Sequence, residues 1–242
     1  HAKVICRQAA TIAGVAWVTE VFRQLDKQVE CVWHCQDGQQ VEAGSLLCEL
    51  KGPARVILTG ERTALNFLQT LSAVATRTRA FVQAVKGTAC QILDTRKTIP
   101  GLRMAQKYAV TCGGGMNHRV GLYDAILIKE NHIQAAGSIA AALDSAQQTG
   151  KQVEIEIEVE SLQQMHEALD CGARRLLLDN FSVSMLKQAV RENQGRARLE
   201  ASGNVSLQTV REIAATGVND ISIGELTKSI EAVDLSMLFE EI

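Results

Sequence analysis

From residue 90 onward, two kinds of hydrophobic spacing alternate along this chain. Short apolar runs, each closed by a polar residue or glycine, read as buried strands: QILD (91–94), AILIKE (125–130), VEIEIEVE (153–160), RLLLDN (175–180), ARLEASGN (197–204) and DISIGE (220–225). The stretches between them have helical spacing. In SLQQMHEALDCGA, positions Leu162, Met165, His166 and Leu169 share a face before Gly172 ends the pattern. SVSMLKQAVRENQG opens on a capping serine, Ser182 or Ser184, and closes at Gly195; SLQTVREIAATG runs likewise from Ser206 to Gly217. With Asp94, Lys129, Glu158, Asp179, Ser202 and Gly224 as reference points, the intervals are 35, 29, 21, 23 and 22 residues. The last three fit one strand, one helix and two loops per unit. Such regular alternation predicts parallel strands, because a parallel connection needs a crossover. The expected architecture is α/β, a (β/α) barrel, closed or incomplete, with a doubly wound open sheet as the alternative. No Gly-x-Gly-x-x-Gly turn follows a strand, which argues against a dinucleotide fold.

The first 60 residues break this rhythm. ECVWHCQDGQQVEAGSLLCELKGPARVIL reads as short strands with turns at Asp37-Gly38, Ala43-Gly44 and Gly52-Pro53. GERTALNFLQTLSAVATRTRAFVQAV is a long helical pattern carried by Leu65, Leu68, Leu71 and Val74, with Arg62 near its start. The final LTKSIEAVDLSMLFEEI can return to cover the small domain. The expected division is a small α/β domain over residues 1–70, joined by 229–242, and a barrel over 71–228.

Composition narrows the class. A hydrophobic fraction of 46% and a charged fraction of 21% over 242 residues are those of a soluble globular protein. A formal net charge of −2 gives no general pull toward nucleic acid or an anionic membrane, so clustered cations need a local reason. No apolar run approaches bilayer length, and HAKVICRQAA lacks the regions of a signal peptide. Seven scattered cysteines, an odd number without a framework spacing, predict reduced and mostly packed thiols in a cytosolic protein. Cys31, His34 and Cys35 in CVWHC have the look of a metal site, but no second ligand pair of zinc spacing follows, and the strand reading is preferred.

In a barrel, the carboxyl ends of the strands form the active face. Here those ends hold Asp94, Arg96 and Lys97; Lys129, Glu130 and Asn131; Glu158 or Glu160; Asp179 and Asn180; Ser202-Gly203-Asn204; and Ser222 to Gly224. GGGMNHRVG adds His118 and Arg119. Any single charged strand end is more often solvated than catalytic, and either Ser/Gly turn alone is as well read as a tight turn. The six ends, however, sort by kind. Cations come early, carboxylates in the middle and small turns last, where such barrels often bind phosphate through backbone N–H groups and a helix N-terminus. Cations suit an anionic substrate, and carboxylates suit sugar hydroxyls, Mg²⁺ or developing positive charge. This is the profile of a site for a phosphorylated sugar and a carboxylate-bearing partner.

GERTALNFLQTLSAVAT, LDTRKTIPGLRMAQKYAVTCGGGMNHRVGLYDAILIKENHI, VEIEIEVESL, LLLDNF, LEASGNVS and ISIGELT together resemble the quinolinate phosphoribosyltransferases, above all the bacterial forms. The resemblance covers essentially the whole chain. It implies an open seven-stranded α/β barrel beside a small α/β sandwich domain. It implies that quinolinate and phosphoribosyl pyrophosphate give nicotinate mononucleotide, pyrophosphate and CO₂ with Mg²⁺. It also implies a cytoplasmic homodimer in which Arg62 reaches the neighbouring active site. Arg96, His118 and Arg119 match residues that hold the two quinolinate carboxylates, with Thr98 also at the substrate. Lys97 and Lys129 match lysines facing the pyrophosphate and the pyridine. Glu158 and Asp179 match acids near the ribose hydroxyls and Mg²⁺, and with the two lysines they make up the implied catalytic set. Ser202, Gly203 and Asn204, with Ser222, Ile223 and Gly224, match the loops around the 5′-phosphate. Asp94 is read as a local partner that fixes its loop. Members of that family usually carry a further segment before the position of His1, and many have a second glycine where Asn204 stands. Two other readings stay open: a related phosphoribosyltransferase acting on another carboxylated heterocycle, and a carrier-type small domain modified at Lys51.

Overall fold

In the computed structural model, which describes residues 1–149 and 153–239, the chain begins with β1 (Ala2–Cys6), β2 (Ala10–Thr11), α1 (Val15–Leu25), β3 (Glu30–Trp33), β4 (Gln40–Val41) and β5 (Leu46–Lys51). The long helix α2 (Ala54–Ala84) leads to β6 (Gln91–Leu93), α3 (Arg103–Cys112), β7 (Ala125–Ile128), α4 (Glu130–Ala136) and α5 (Ile139–Gln148). The remainder comprises β8 (Glu154–Val159), α6 (Leu162–Asp170), β9 (Arg175–Asp179), α7 (Val183–Asn193), β10 (Arg198–Ser202), α8 (Val210–Ala214), β11 (Asp220–Ser222), α9 (Glu225–Lys228) and β12 (Leu235–Phe239). These elements form two compact units. The first holds His1–Ala80, Lys97–Gly115 and the stretch from Glu225 onward; the second holds Phe81–Arg96 and Met116–Gly224. Besides the expected 1–70 and 229 onward, the first unit thus takes in 71–80, 97–115 and 225–228; residues 240–242 lie outside the described residues.

The first unit is built on an antiparallel sheet in the order β12-β1-β5-β3, with β2 and β4 paired separately. Its core packs Val4, Ile12, Val18, Phe22, Leu47 and Leu50 against Ile57, Leu65 and Leu68 of α2. The C-terminal segment joins as an edge strand, Ala2 opposite Phe239 and Cys6 opposite Leu235. Residues 54–58 are helical rather than the strand their Val-Ile-Leu run suggests. The Pro53 carbonyl accepts from the Ile57 N–H at 3.2 Å, and the buried positions 57, 60, 64, 65 and 68 form one helical stripe. Arg62 consequently sits more than two turns into α2, on its exposed side.

In the second unit, six parallel strands form one sheet in the order β6-β11-β10-β9-β8-β7. Successive strands from β7 to β11 are neighbours and β6 adjoins β11, the single winding of a barrel rather than the reversal of a doubly wound sheet. Among the described residues β6 and β7 do not pair, so the barrel is open. Where the resemblance implies a seventh strand, a single parallel bridge from Leu93 to Met116 flanks β6. The long 35-residue first interval arises because the chain leaves this unit after Arg96, forms α3 in the first unit, and returns at Met116. Caps form at Ser161 and Ser182, whose hydroxyls accept from Gln164 and Met185 N–H. The third expected helix is shorter than its pattern: Ser206 and Thr209 make a turn, and only Val210–Ala214 is helical.

Candidate active site

Parallel strands have their carboxyl ends at the same end of the sheet, and side chains two residues apart share a side. On β8 that side carries Glu154, Glu156 and Glu158; on β9, Arg175, Leu177 and Asp179; on β10, Arg198, Glu200 and Ser202. The last of each set stands at the carboxyl end. Asp179 and Ser202 are register partners. Lys129, just beyond β7, places Nζ 2.5 Å from Glu158 Oε2, so these two expected catalytic groups meet as an ion pair. Asp179 Oδ2 accepts from Asn180 Nδ2 at 2.7 Å, and the Asn180 N–H donates to the Ser202 carbonyl at 2.9 Å. The next turn, Gly203 (φ 103) and Asn204 (φ 48), is left-handed throughout. Of the second expected phosphate segment, Ser222 and Ile223 are buried, and the Ile223 N–H is already used by the Leu93 carbonyl at 2.9 Å. Gly224 follows, half-buried.

The Arg96, His118 and Arg119 cluster lies where the chain runs beyond β6. Asp94 is fully buried, and its Oδ1 accepts from the His118 backbone N–H at 2.8 Å. It ties the His118 segment, 24 residues further on, to the end of β6, whereas the sequence reading looks for its partner within its own loop. Burial lowers the basicity of Arg119 below its ordinary range, and the nearby charge of Arg96 lowers it further, against Glu156, Asp124 and Glu158. Two half-buried guanidinium groups that repel each other favour an anion between or beside them.

The His118 ring meets a buried charge network. Its Nε2 is 2.7 Å from Glu156 Oε2 and 3.4 Å from Glu200 Oε2. Arg175 bridges the same carboxylates at 3.0 and 2.9 Å and reaches Asp220 at 3.2 Å. Arg198 pairs with Asp220 at 2.5 Å. Burial alone would depress the imidazole, but Glu156 and Glu200 outweigh it and raise its pKa to about 9. Burial pushes Glu156 up; Glu200, despite its own burial, is held below the usual range by His118, Ser222 and Arg175. The Arg119 N–H donates to His118 Nδ1 at 2.8 Å, an arrangement of the neutral ring. Two facing carboxylates favour the charged ring by more than the ~1 kcal/mol of one backbone hydrogen bond, so protonation prevails at the expense of that bond. Nε2 stays engaged with Glu156, and it is Nδ1, once protonated, that exchanges the Arg119 N–H for an acceptor such as a substrate carboxylate. His118, Glu156 and Glu200 also stand close enough to share a metal ion, yet Arg175 fills the space between the carboxylates and makes a cation there unfavourable.

A cavity of about 250 Å³ in this unit is lined by His118, Arg119 and Glu156 together with Arg175, Arg198 and Asp220, so two of the expected quinolinate-binding residues share its wall with the buried charge network. A smaller one, about 170 Å³, has Glu158 and Glu160 in its wall, at the carboxyl ends. The remaining expected site residues belong to the first unit. Lys97 is exposed, and its carbonyl accepts from Thr227 Oγ1 at 2.7 Å. Thr98 Oγ1 accepts from Arg103 Nε at 3.1 Å. Arg62 is exposed on α2, with no hydrogen bond or ion pair to another described residue.

Comparison with known proteins settles the kinship. Residues 1–72 match the family described as quinolinate phosphoribosyl transferase, N-terminal domain, and residues 74–238 match its C-terminal domain. The chain belongs to the quinolinate phosphoribosyl transferase family. A Bacillus subtilis (strain 168) member, a probable carboxylating nicotinate-nucleotide pyrophosphorylase, is 43% identical over 238 residues, covering 98% of this chain and 82% of its own. Decarboxylating quinolinate phosphoribosyltransferase 1b of Nicotiana tabacum is 39% identical over 256 residues, 98% of this chain and 73% of its own. The structure of the Francisella tularensis nicotinate-nucleotide pyrophosphorylase superposes with a TM-score of 0.96 at 47% identity, over 98% of this chain and 84% of that one. For a quinolinate phosphoribosyl transferase, the network of Glu156, Glu200, Arg175, Asp220 and Arg198 is the feature that sequence reasoning passed over. The signal was present: acids at every second position of VEIEIEVE, with isoleucine or valine between them, place charge on the side of the strand opposite the apolar one. Asn180 was also left without a role.

Proposed function

We infer that this chain transfers the phosphoribosyl group of phosphoribosyl pyrophosphate to quinolinate with loss of CO₂, giving nicotinate mononucleotide and pyrophosphate in NAD biosynthesis. The observation that carries the reading is the match to both domains of the family over nearly the whole chain. The adjoining cations Arg96 and Arg119, with the carboxylates Glu158 and Asp179 on neighbouring strand ends, support it in chemical terms. Arg96 and Arg119 hold the quinolinate carboxylates, and His118 contributes once its ring exchanges partners. Positive charge grows on the ribose as pyrophosphate departs, and Glu158 and Asp179 stabilise it. Lys97 and Lys129 stabilise the leaving group, and Thr98 binds substrate. The pyridine nitrogen attacks C1; the alkylated ring then accepts the electron pair released when the 2-carboxylate leaves as CO₂, and the ring carbon takes up a proton. No covalent nucleophile is needed, since positioning and charge neutralisation supply the rate. Ser202, Gly203, Asn204 and Gly224 line the 5′-phosphate, with Ser222 and Ile223 supporting them.

The hard oxygen donors of Glu158 and Asp179 fit Mg²⁺, which is commonly held by one or two carboxylates together with substrate phosphates. Because Lys129 already engages Glu158, Glu158 would hold the ion while shared with Lys129, or through water. When bound, the ion supplies charge neutralisation at the pyrophosphate. Arg62, exposed and without a partner among the described residues, suits a homodimer in which it completes the partner subunit's site. Among the described residues no helix is long and apolar enough to cross a membrane, and the setting we assign is cytoplasmic, without a nucleic-acid partner. The test is release of labelled CO₂ from carboxyl-labelled quinolinate. Release that requires both phosphoribosyl pyrophosphate and Mg²⁺ is expected; release independent of phosphoribosyl pyrophosphate, or none, sinks the assignment.

A further inference from the structure

Three non-glycine residues among those described have positive φ: Asn180 (55), Gln194 (50) and Asn204 (48). Gln194 caps the end of α7, where a left-handed residue is ordinary. The other two stand on adjoining strand ends of the candidate site. Left-handed backbone costs on the order of 1 kcal/mol for a residue with a side chain, less for asparagine, and persists where neighbouring groups enforce it.

We propose that Asn180 is a positioning residue for the phosphoribosyl half of the reaction, aiming the Asp179 carboxylate and fixing the Gly203–Asn204 turn with one side chain. The inference rests on the function proposed above. Asn180 makes three separate connections. Its backbone N–H extends the β9–β10 ladder by one rung, to the Ser202 carbonyl at 2.9 Å. Its side-chain NH₂ donates to Asp179 Oδ2 at 2.7 Å. Its side-chain oxygen faces Asn204 Nδ2 at 3.5 Å. The turn also rests directly on this amide. A Cβ at position 203 would overlap Asn180 Oδ1 and lie 2.8 Å from its Cγ, so Gly203 is required by contact as well as by its φ of 103. The amide orientation is determined from both ends, because its donor must face a carboxylate and its acceptor an NH₂ group. No other side chain of this size offers a donor and an acceptor in that geometry. One residue thus links the acid that meets developing charge to the turn that meets the phosphate.

Two variants separate the side chain from the backbone. Asn180→Gly keeps the left-handed conformation and removes the amide; Asn180→Asp keeps the shape and turns a donor into a carboxylate oxygen facing Asp179. Steady-state kinetics, thermal midpoints and calorimetric binding of ribose 5-phosphate are to be measured on the full chain. For Asn180→Gly the expected result is kcat lower by about tenfold or more, a raised KM for phosphoribosyl pyrophosphate, an unchanged KM for quinolinate and a midpoint close to wild type. Asn180→Asp should lose more kcat than Asn180→Gly. An unchanged kcat and KM for phosphoribosyl pyrophosphate in Asn180→Gly overturns the proposal. So does a parallel rise of both KM values with a collapsed midpoint, which marks a merely structural role. If wild type releases no CO₂ from quinolinate, the functional reading has failed, and ribose 5-phosphate binding decides this one. Weaker binding by Asn180→Gly than by wild type sustains it, and equal binding, or none by either protein, overturns it.

Discussion

Asp179 closes its strand with a half-buried carboxylate held by Asn180 at 2.7 Å. Its charge gains most when the ribose becomes positive, which happens only in the transition state. Asp179→Asn should therefore lower kcat by about a hundredfold or more while KM for quinolinate stays near wild type, as steady-state kinetics will show. An unchanged kcat with a raised KM would remove Asp179 from this role. His118 provides a pH test. Its folded pKa, about 9, lies above the ordinary value near 6.5, so the folded state holds a proton that the unfolded chain releases. The stabilisation is complete below about pH 6.5 and is lost as pH rises through the folded pKa. The groups that face the ring are Glu156, Glu200 and, behind them, Arg175. The difference in thermal midpoint between wild type and His118→Gln should be large at about pH 6.5 and shrink toward pH 10; a constant difference would exclude this linkage. At this scale the sequence disclosed the strand-end residues, because they follow apolar runs directly. It did not disclose Glu156 or Glu200 as partners of His118, because their pairing depends on strands 38 and 82 residues away (118 to 156, 118 to 200).

Among the elements, the parallel strands were legible almost to the residue, since each is a short apolar run between polar breaks. Elements whose limits depend on neighbours were not. The run after Pro53 reads as a strand by propensity but is helical, because Ile57, Ala64, Leu65 and Leu68 must all enter the first unit's core. The Ser206 pattern, which runs to Gly217, promises a helix that occupies only Val210–Ala214. The crossing of α3 and α2 in the first unit depends on Gly113, which caps α3. A Cβ there would stand 2.5 Å from Thr78 Cβ and 2.6 Å from the Ala75 carbonyl. Gly113→Ala should destabilise the fold by about 1–3 kcal/mol. The thermal midpoint should fall by about 2–4 °C for each of these; an unchanged midpoint would show that the helices can part without cost.

For the molecule as a whole, the quaternary proposal yields a complementation test. Arg62→Ala and Arg119→Ala should each be inactive and still dimeric, judged by sedimentation. After subunit exchange, each mixed dimer has one site lacking both arginines and one site lacking neither, so random equal mixing should restore up to about a quarter of wild-type activity. If activity stays at the level of the separate variants despite demonstrated exchange, Arg62 serves its own subunit's site or none. The kind of fold could be read from the chain because strand periodicity counts the barrel's units. The path of the chain between its units could not, because it depends on which surface α3 finds.

That path bears on how such a protein can be rearranged. The chain passes between its units at 80/81, 96/97, 115/116 and 224/225, whereas the two family domains adjoin only once, between residues 72 and 74. A cut at that junction would strand α3 and β12 with the wrong fragment and leave β1 paired on one side only, with β5. Neither piece would be a module that recombination could exchange in a single event, and the gene is expected to be inherited, fused or lost as one block.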